Sequence, residues 1–173
     1  MAGRREAPVS AQIRPATAND LSAIGKLAVL LVQTHYDFDN NRFLPVTADT
    51  EQGYAGYLGS QLGQKKTVVF AAEVNGEVVG YAWGGLEDTD YMALRGPAGA
   101  LYDIVVHPTH RGTGVGAALL NAVVEKLVAL GAPRIVLSTA VRNEAAQRLF
   151  ESAGFKPTMI EMTRESNKDG EPR

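Results

Sequence analysis

Apolar positions recur at helical spacing from Leu21 to Val32, where Leu21, Ile24, Leu27, Ala28, Leu31 and Val32 mark one face of an amphipathic helix. Asn19 stands at its N-cap position, and Asp37-Phe38-Asp39-Asn40-Asn41 ends it. A weaker helical pattern runs from Ala48 to Leu62, with Asp49 and Glu51 suited to its first turn. Two β-rich runs, Thr67 to Val74 and Glu77 to Trp83, flank Asn75-Gly76, whose residues accept the positive φ of a type I′ turn. This predicts a β-hairpin, loosened at its far end by Gly84 and Gly85. Gly96, Pro97 and Gly99 mark a loop, and Leu101 to Val106 reads as a strand ended by His107-Pro108. Val115 to Leu130 is apolar around most of a helical circumference, as expected of a helix packed along a sheet, and Gly131 and Pro133 stop it. Arg134 to Thr139 predicts another strand. Asn143 caps a final helix ending at Ala153, with Gly154 in the left-handed position and Phe155 folding back. Ile13 to Ala16 can be an edge strand, since an edge tolerates Pro15, and Lys156 to Glu165 can add a last one.

This order predicts an α+β fold, a three-layer α/β domain. Its mixed, mostly antiparallel central sheet has six to seven strands flanked by about four helices. The strand–helix–strand passage through Val115 to Leu130 implies one parallel pair with a right-handed crossover, and no doubly wound dinucleotide fold. Residues 1–10 read as a loose leader, 11–165 as a single domain and 166–173 as a frayed tail, in keeping with a 173-residue chain.

Composition narrows the function. A hydrophobic share of 45% with 21% charged residues fits a globular chain, not a disordered one. Lys plus Arg number 17 against 19 Asp plus Glu, and this near balance argues against a nucleic-acid partner. With 0 cysteines, disulfides, thiolate metal sites and an acyl-cysteine intermediate are excluded. The start leads into no apolar stretch, and the longest apolar run, Leu27 to Val32, is far below the ~20 residues that span a bilayer. A cytoplasmic protein without membrane partners is expected. The histidines show no metal-ligand spacing with carboxylates, so no metal is expected.

The candidate chemistry begins at Arg111-Gly112-Thr113-Gly114-Val115-Gly116, between a strand and a helix. A helix N-terminus leaves about four amides unpaired and attracts anions, and glycines let a pyrophosphate approach the backbone. Arg111 can add a forked, permanently charged donor. Read alone, the same glycines can simply make a tight turn. The spacing is neither that of dinucleotide folds nor that of a P-loop, which disfavours NAD and ATP.

Val105-Val106-His107-Pro108 with Arg111 to Gly116, followed by Asn143-Glu144-Ala145-Ala146, Leu149-Phe150-Glu151 and Gly154-Phe155, resembles the GCN5-related N-acetyltransferases, the GNAT superfamily. The resemblance covers roughly Ile13 to Glu165, and the element order matches as well. It implies acetyl-CoA as co-substrate and transfer of its acetyl group to a primary amine of a small molecule or peptide, by direct attack in a ternary complex. It implies that the amides of Arg111, Gly112, Thr113, Gly114, Val115 and Gly116 hold the pyrophosphate. The strand Ile104-Val105-Val106 would pair with the pantetheine arm, where it splays from the strand through Leu137. Asn143 would contact the pantetheine, although helix capping alone also explains it. Dimers are frequent in this family, which makes a homodimer a candidate assembly.

Such a transfer needs a base for the amine, a donor for the oxyanion and an acid for the departing thiolate. Asp103 resembles the acidic residue of many relatives and is the candidate base; the backbone amide of Val105 or Val106 is the candidate oxyanion donor. Strand alternation puts Asp103 with Leu101 and Val105, and Tyr102 with Ile104. Which face meets the cleft is open. Glu87 and Asp88 are alternative amine binders, and His35 and Tyr36 can line an acceptor pocket. Many relatives carry a tyrosine acid where this chain has Phe150, so Tyr102, Tyr81, Tyr36 or water is left for that role. A non-catalytic acetyl-CoA sensor is the alternative reading, and a general phosphate-binding protein a third.

Overall fold

The computed structural model describes residues 11–166; the expected leader 1–10 and all of the expected tail but Ser166 lie outside them. In chain order the elements are β1 (Gln12–Pro15), α1 (Leu21–Phe38), α2 (Thr50–Gln61), β2 (Thr67–Val74), β3 (Glu77–Glu87), β4 (Ala98–Val106), α3 (Val115–Ala129), β5 (Ile135–Leu137) and α4 (Glu144–Ser152). They build one five-stranded sheet in the order β1-β2-β3-β4-β5. The first three pairings are antiparallel, and β4 pairs β5 in parallel across α3.

Among the described residues five strands are formed, not the expected six to seven. Lys156 to Glu165 runs as an irregular, exposed stretch with Met159, Ile160 and Met162 largely in solvent. Its apolar residues have no sheet face to cover, and period alone does not make a strand without a neighbour.

The sheet separates two cores, which makes the expected three layers. On one face Leu119, Leu120, Val123 and Leu127 of α3 and Phe150 of α4 pack on Val68, Ala72, Ala82 and Leu101. On the other, Ile24, Leu27 and Ala28 of α1 and Leu58 of α2 pack on Val69, Tyr81, Trp83 and Val105. Burial of each such aliphatic side chain contributes roughly 1.5–3 kcal/mol.

The hairpin turn is as predicted, with Asn75 at φ 51° and Gly76 at φ 81°. Its far end is not loose, because Gly84 and Gly85 lie buried inside β3. A Cβ on Gly84 would collide with the Ala100 carbonyl oxygen, so glycine here permits close approach of β3 and β4. Gly99 likewise belongs to β4, not to a loop.

Asn19 does not cap α1. A 3₁₀ turn, Ala18–Asp20, precedes the helix, and Asp20 organises it. The Asp20 carboxylate accepts from Arg14 Nη1 at 2.7 Å, Arg14 Nη2 at 2.8 Å and the Thr17 backbone N–H at 2.7 Å. Arg14 also reaches Glu73 of β2 through Nε at 3.0 Å and Nη2 at 2.7 Å, so one guanidinium ties β1, β2 and the start of α1 together. The Arg14 bonds hold the Asp20 carboxyl at about 2, against an ordinary 3.8. A carboxyl depressed in the folded state stabilises it above the unfolded pKa and loses that contribution as pH falls through the folded one. The protein is thus expected to lose stability through this group as pH drops from 3.8 toward 2. Asp20→Asn is expected to cost on the order of 2 kcal/mol at pH 7 and to flatten this acid limb, measured by urea unfolding at several pH values.

Candidate active site

The site begins with a mismatch in strand length. β4 pairs β5 only at Gly99↔Ile135, Ala100↔Val136 and Leu101↔Leu137, while β4 itself continues to Val106. From Tyr102 onward its edge has no neighbour strand among the described residues. The His107 N–H donates to the Val79 carbonyl at 2.8 Å, which sets the parity of the β3–β4 ladder. Asp103 and Val105 therefore direct their amides at β3, and Ile104 and Val106 direct theirs to the open edge. The expectation of Val105 as an oxyanion donor is corrected on this ground: its N–H is committed to the sheet.

A β-bulge re-aims the side chains at the same place. Trp83 pairs Asp103 and Gly84 pairs Leu101, leaving Tyr102 as the extra residue. Leu101 and Ile104 consequently enter the α3 core while Val105 enters the α1 core. Asp103 does not share a face with Leu101, and Tyr102 does not share one with Ile104. Both Tyr102 and Asp103 instead meet Trp83: the Tyr102 ring lies 4.4 Å from the Trp83 ring, and Trp83 Nε1 donates to Asp103 Oδ2 at 2.8 Å. Simple alternation fails here because the bulge shifts it by one.

Asp103 is the best-built side chain of the site. Tyr81 Oη also donates to Oδ2, at 3.2 Å, whereas Oδ1 has no hydrogen-bond partner among the described residues. Burial pushes the carboxyl above the ordinary aspartate range; the bonds from Trp83 and Tyr81 and the nearby His35 act the other way.

Asp103 lies in a cleft of about 810 Å³ between the α1–α2 layer and the splayed strands. Tyr102, Ile104, Leu137, Ser138, Thr139, Asn143 and Phe150 line it from the sheet and α4, and Leu31, His35, Phe43, Leu44, Pro45 and Tyr54 from the opposite side. His35 is where the sequence placed it, with Nδ1 2.9 Å from the Leu31 carbonyl oxygen, an acceptor that requires the proton on Nδ1. Tyr36 is not among the lining residues, and neither is Glu87 or Asp88. Asp88 sits exposed in an ion pair with Lys66 at 3.2 Å. Glu87 pairs with Arg95 and accepts from Tyr102 Oη at 2.9 Å, so it steers Tyr102 without facing the cleft.

The candidate acids sort themselves by surroundings. Tyr81 is fully buried, its hydroxyl raised far above the ordinary range by burial first and the Asp103 charge next. Tyr102 is raised by burial and then by the bond to Glu87. Tyr54 of α2, which the sequence reading missed, lines the cleft and is raised by burial and by the Asp103 charge. Phe150 is 6% exposed and packs on Phe155 with centroids 6.0 Å apart, so it serves the core.

Beyond β4 the chain turns through the glycines. Gly112 and Gly114 have φ of 72° and 92°, and neither has an atom within 4 Å of where a Cβ would stand, so the backbone can be approached directly. The first helical bond runs from the Ala118 N–H to the Gly114 carbonyl at 3.0 Å. Among the described residues no acceptor takes the amides of residues 112–117. Arg111 Nε donates to the Val106 carbonyl at 3.0 Å, which ties the turn to the open edge of β4. Asn143 Oδ1 accepts from the Ala146 N–H at 3.2 Å, so it does cap α4, while also lining the cleft. The amide row follows the open edge of β4 directly in the chain, and the buried carboxylate of Asp103 lies on the same strand, an arrangement able to hold an anionic, extended ligand and present its end to a base.

A family model described as acetyltransferase (GNAT) matches residues 31–155. A transcriptional regulator from Bacillus halodurans has the same fold at a TM-score of 0.70 and 20% identity, with 89% of this chain and 98% of that one covered. Glucosamine-6-phosphate N-acetyltransferase from Arabidopsis thaliana superposes at 0.66 and 18% identity, over 91% and 99% of the two chains. The aminoglycoside N-acetyltransferase AAC(6')-Iy in complex with CoA does so at 0.69 and 18%, over 93% and 99%. At these identities the likeness is one of fold. No helix of the described residues is long and apolar enough to cross a membrane.

Proposed function

We propose that this chain, which belongs to the acetyltransferase (GNAT) family, moves an acetyl group from acetyl-CoA to a primary amine by direct attack within a ternary complex. The observation that carries the reading is a sequence of features along one stretch of chain: the free Oδ1 of Asp103 in the cleft, the β4 edge that follows it without a strand partner among the described residues, and the unpaired amides at 112–117 beyond. The amides of Gly112, Thr113, Gly114, Val115 and Gly116 receive the pyrophosphate, with the positive end of α3 behind them. The Ile104 carbonyl and one of the two amides of Ile104 and Val106 pair with the pantetheine arm, and Asn143 meets it from the other wall. Acetyl-CoA supplies the thioester-activated acetyl group.

An amine with a pKa near ~10.4 arrives mostly protonated at neutral pH. Asp103 Oδ1 takes the ammonium and accepts one of its protons, which frees the lone pair that attacks the thioester carbonyl; as the C–N bond forms and the C–S bond breaks, the nitrogen gives its second proton to water. The oxyanion is taken by a backbone N–H of the open edge, that of Ile104 or Val106. CoA leaves as its thiolate and takes up a proton from Tyr54, Tyr102 or water. With 0 cysteines in the chain, there is no route through an acyl-enzyme on cysteine sulfur.

Thiol release on mixing protein, acetyl-CoA and an amine panel tests this, and release with at least one amine is expected. Phe150 in place of a hydroxyl donor favours a second reading, an acetyl-CoA sensor, which predicts CoA binding without release from any amine.

A further inference from the structure

The wall facing Asp103 carries information about the acceptor. It is built from Leu31, Val32, Phe43, Leu44, Pro45 and Tyr54, contributed by α1, α2 and the segment between them. Several of the polar groups beside it are already engaged. The backbone N–H of Thr47 donates to Thr50 Oγ1 at 2.8 Å, and the Thr47 and Thr50 hydroxyls lie 3.2 Å apart as one hydrogen bond, fastening the start of α2. Arg42 is the cation among the lining residues, and it is forked onto Glu161 through Nε–Oε1 and, at 2.9 Å, Nη2–Oε2. His35 has its Nδ1 proton on the Leu31 carbonyl. Asp49 is an exposed residue at the mouth. In the cleft Asp103 Oδ1 is the free atom of a buried carboxylate; further lining groups without a partner among the described residues, the Tyr54, Ser138 and Thr139 hydroxyls and His35 Nε2, are neutral and set among apolar and aromatic surfaces.

We propose that the acceptor is a monoamine with an apolar body, an arylalkyl or branched alkyl primary amine. Its ammonium meets Asp103 Oδ1 and its body lies along Phe43, Leu44 and Tyr54. This rests on the acetyl-transfer reading above. A polyhydroxylated polyamine would bring hydroxyls and further ammonium groups to a wall with few free partners, and each polar group buried unpaired costs roughly 1–3 kcal/mol. A phosphorylated amine would meet a cation already neutralised by Glu161 and a carboxylate of its own sign.

The test measures CoA binding by calorimetry and acetyl transfer by thiol release with phenethylamine, isopentylamine, spermidine, kanamycin and glucosamine 6-phosphate. The two apolar amines are expected to exceed the other three at least 10-fold in kcat/KM, since about 1.4 kcal/mol of differential binding is tenfold. Phe43→Ala is expected to raise KM for phenethylamine several-fold while leaving CoA affinity unchanged, and that affinity also reports that the variant is folded. Transfer that favours spermidine, kanamycin or glucosamine 6-phosphate overturns the assignment and leaves acetyl transfer standing. CoA binding without release from any amine overturns both. Equal KM in Phe43→Ala and the parent removes the wall from acceptor recognition and overturns the assignment as well.

Discussion

Gly114→Asp is expected to weaken CoA binding at least 100-fold while the protein remains folded. Gly114 has φ 92°, the left-handed region, and nothing stands within 4 Å of its missing Cβ. The new side chain thus meets no protein atom and projects into the space where a pyrophosphate must approach. A carboxylate there opposes a dianionic group in a site that binds by unpaired amides, and a 100-fold loss corresponds to about 2.8 kcal/mol. Backbone strain in the left-handed region contributes on the order of 1–2 kcal/mol to either variant at this position. Gly114→Asn separates the two causes, since asparagine brings nearly the same strain and volume with no charge. Asparagine is expected to cost much less affinity than aspartate. Calorimetric titration with CoA reads both, and equal losses would assign the effect to strain.

Asp103→Asn is expected to lower kcat about 10²–10³-fold, the usual contribution of a positioned base, with CoA affinity retained. The pH dependence carries the sign. Burial raises the Asp103 carboxyl above the ordinary range, so the active carboxylate is lost as pH falls through that raised value. The parent should show an acid limb in kcat/KM that lies above the usual aspartate pKa, and the variant should lack it. Stability moves oppositely. A carboxyl whose folded pKa is raised stabilises the fold below its unfolded pKa and loses this as pH rises through the folded value. Asparagine, neutral throughout and still able to accept from Trp83 and Tyr81 at the oxygen they share, is expected to melt no lower than the parent at pH 8. A slower yet equally stable variant places Asp103 in the reaction, not in the scaffold.

How much of this could be read from residues depends on how local each cause is. The Asn75-Gly76 hairpin, the Gly112 and Gly114 turn, and the Asn143 and Gly154 ends of α4 were legible because each rests on a conformation that few residue types tolerate. Asp103 was legible as a candidate through its resemblance to a family residue. Its surroundings were not, because the bulge at Tyr102 breaks alternation without a sequence marker and reverses which residues share a face. The cap of α1 was readable in principle from Thr17 and Asp20, three residues apart, but the bond that commits Asp20 comes from Arg14 on another strand. Gly84 and Gly85 suggested looseness because a glycine in a strand signals either disruption or close approach, and only the position of Ala100 decides. Tyr54, Phe43 and Leu44 escaped notice because the cleft wall forms where α1, α2 and their connection converge, and periodicity says nothing about convergence. Lys156 to Glu165 had strand-like composition but no partner among the described residues, and pairing is a property of the sheet as a whole.

The most direct test is an amide correlation spectrum of the isotopically labelled protein, titrated with CoA. If the turn and the open strand edge grip the coenzyme, the resonances of Ile104, Val106 and residues 112–117 shift and gain protection from exchange, while that of Val105, already bonded to β3, changes least. Saturating CoA that leaves these amides unmoved, with any perturbation confined to other surfaces, would contradict it.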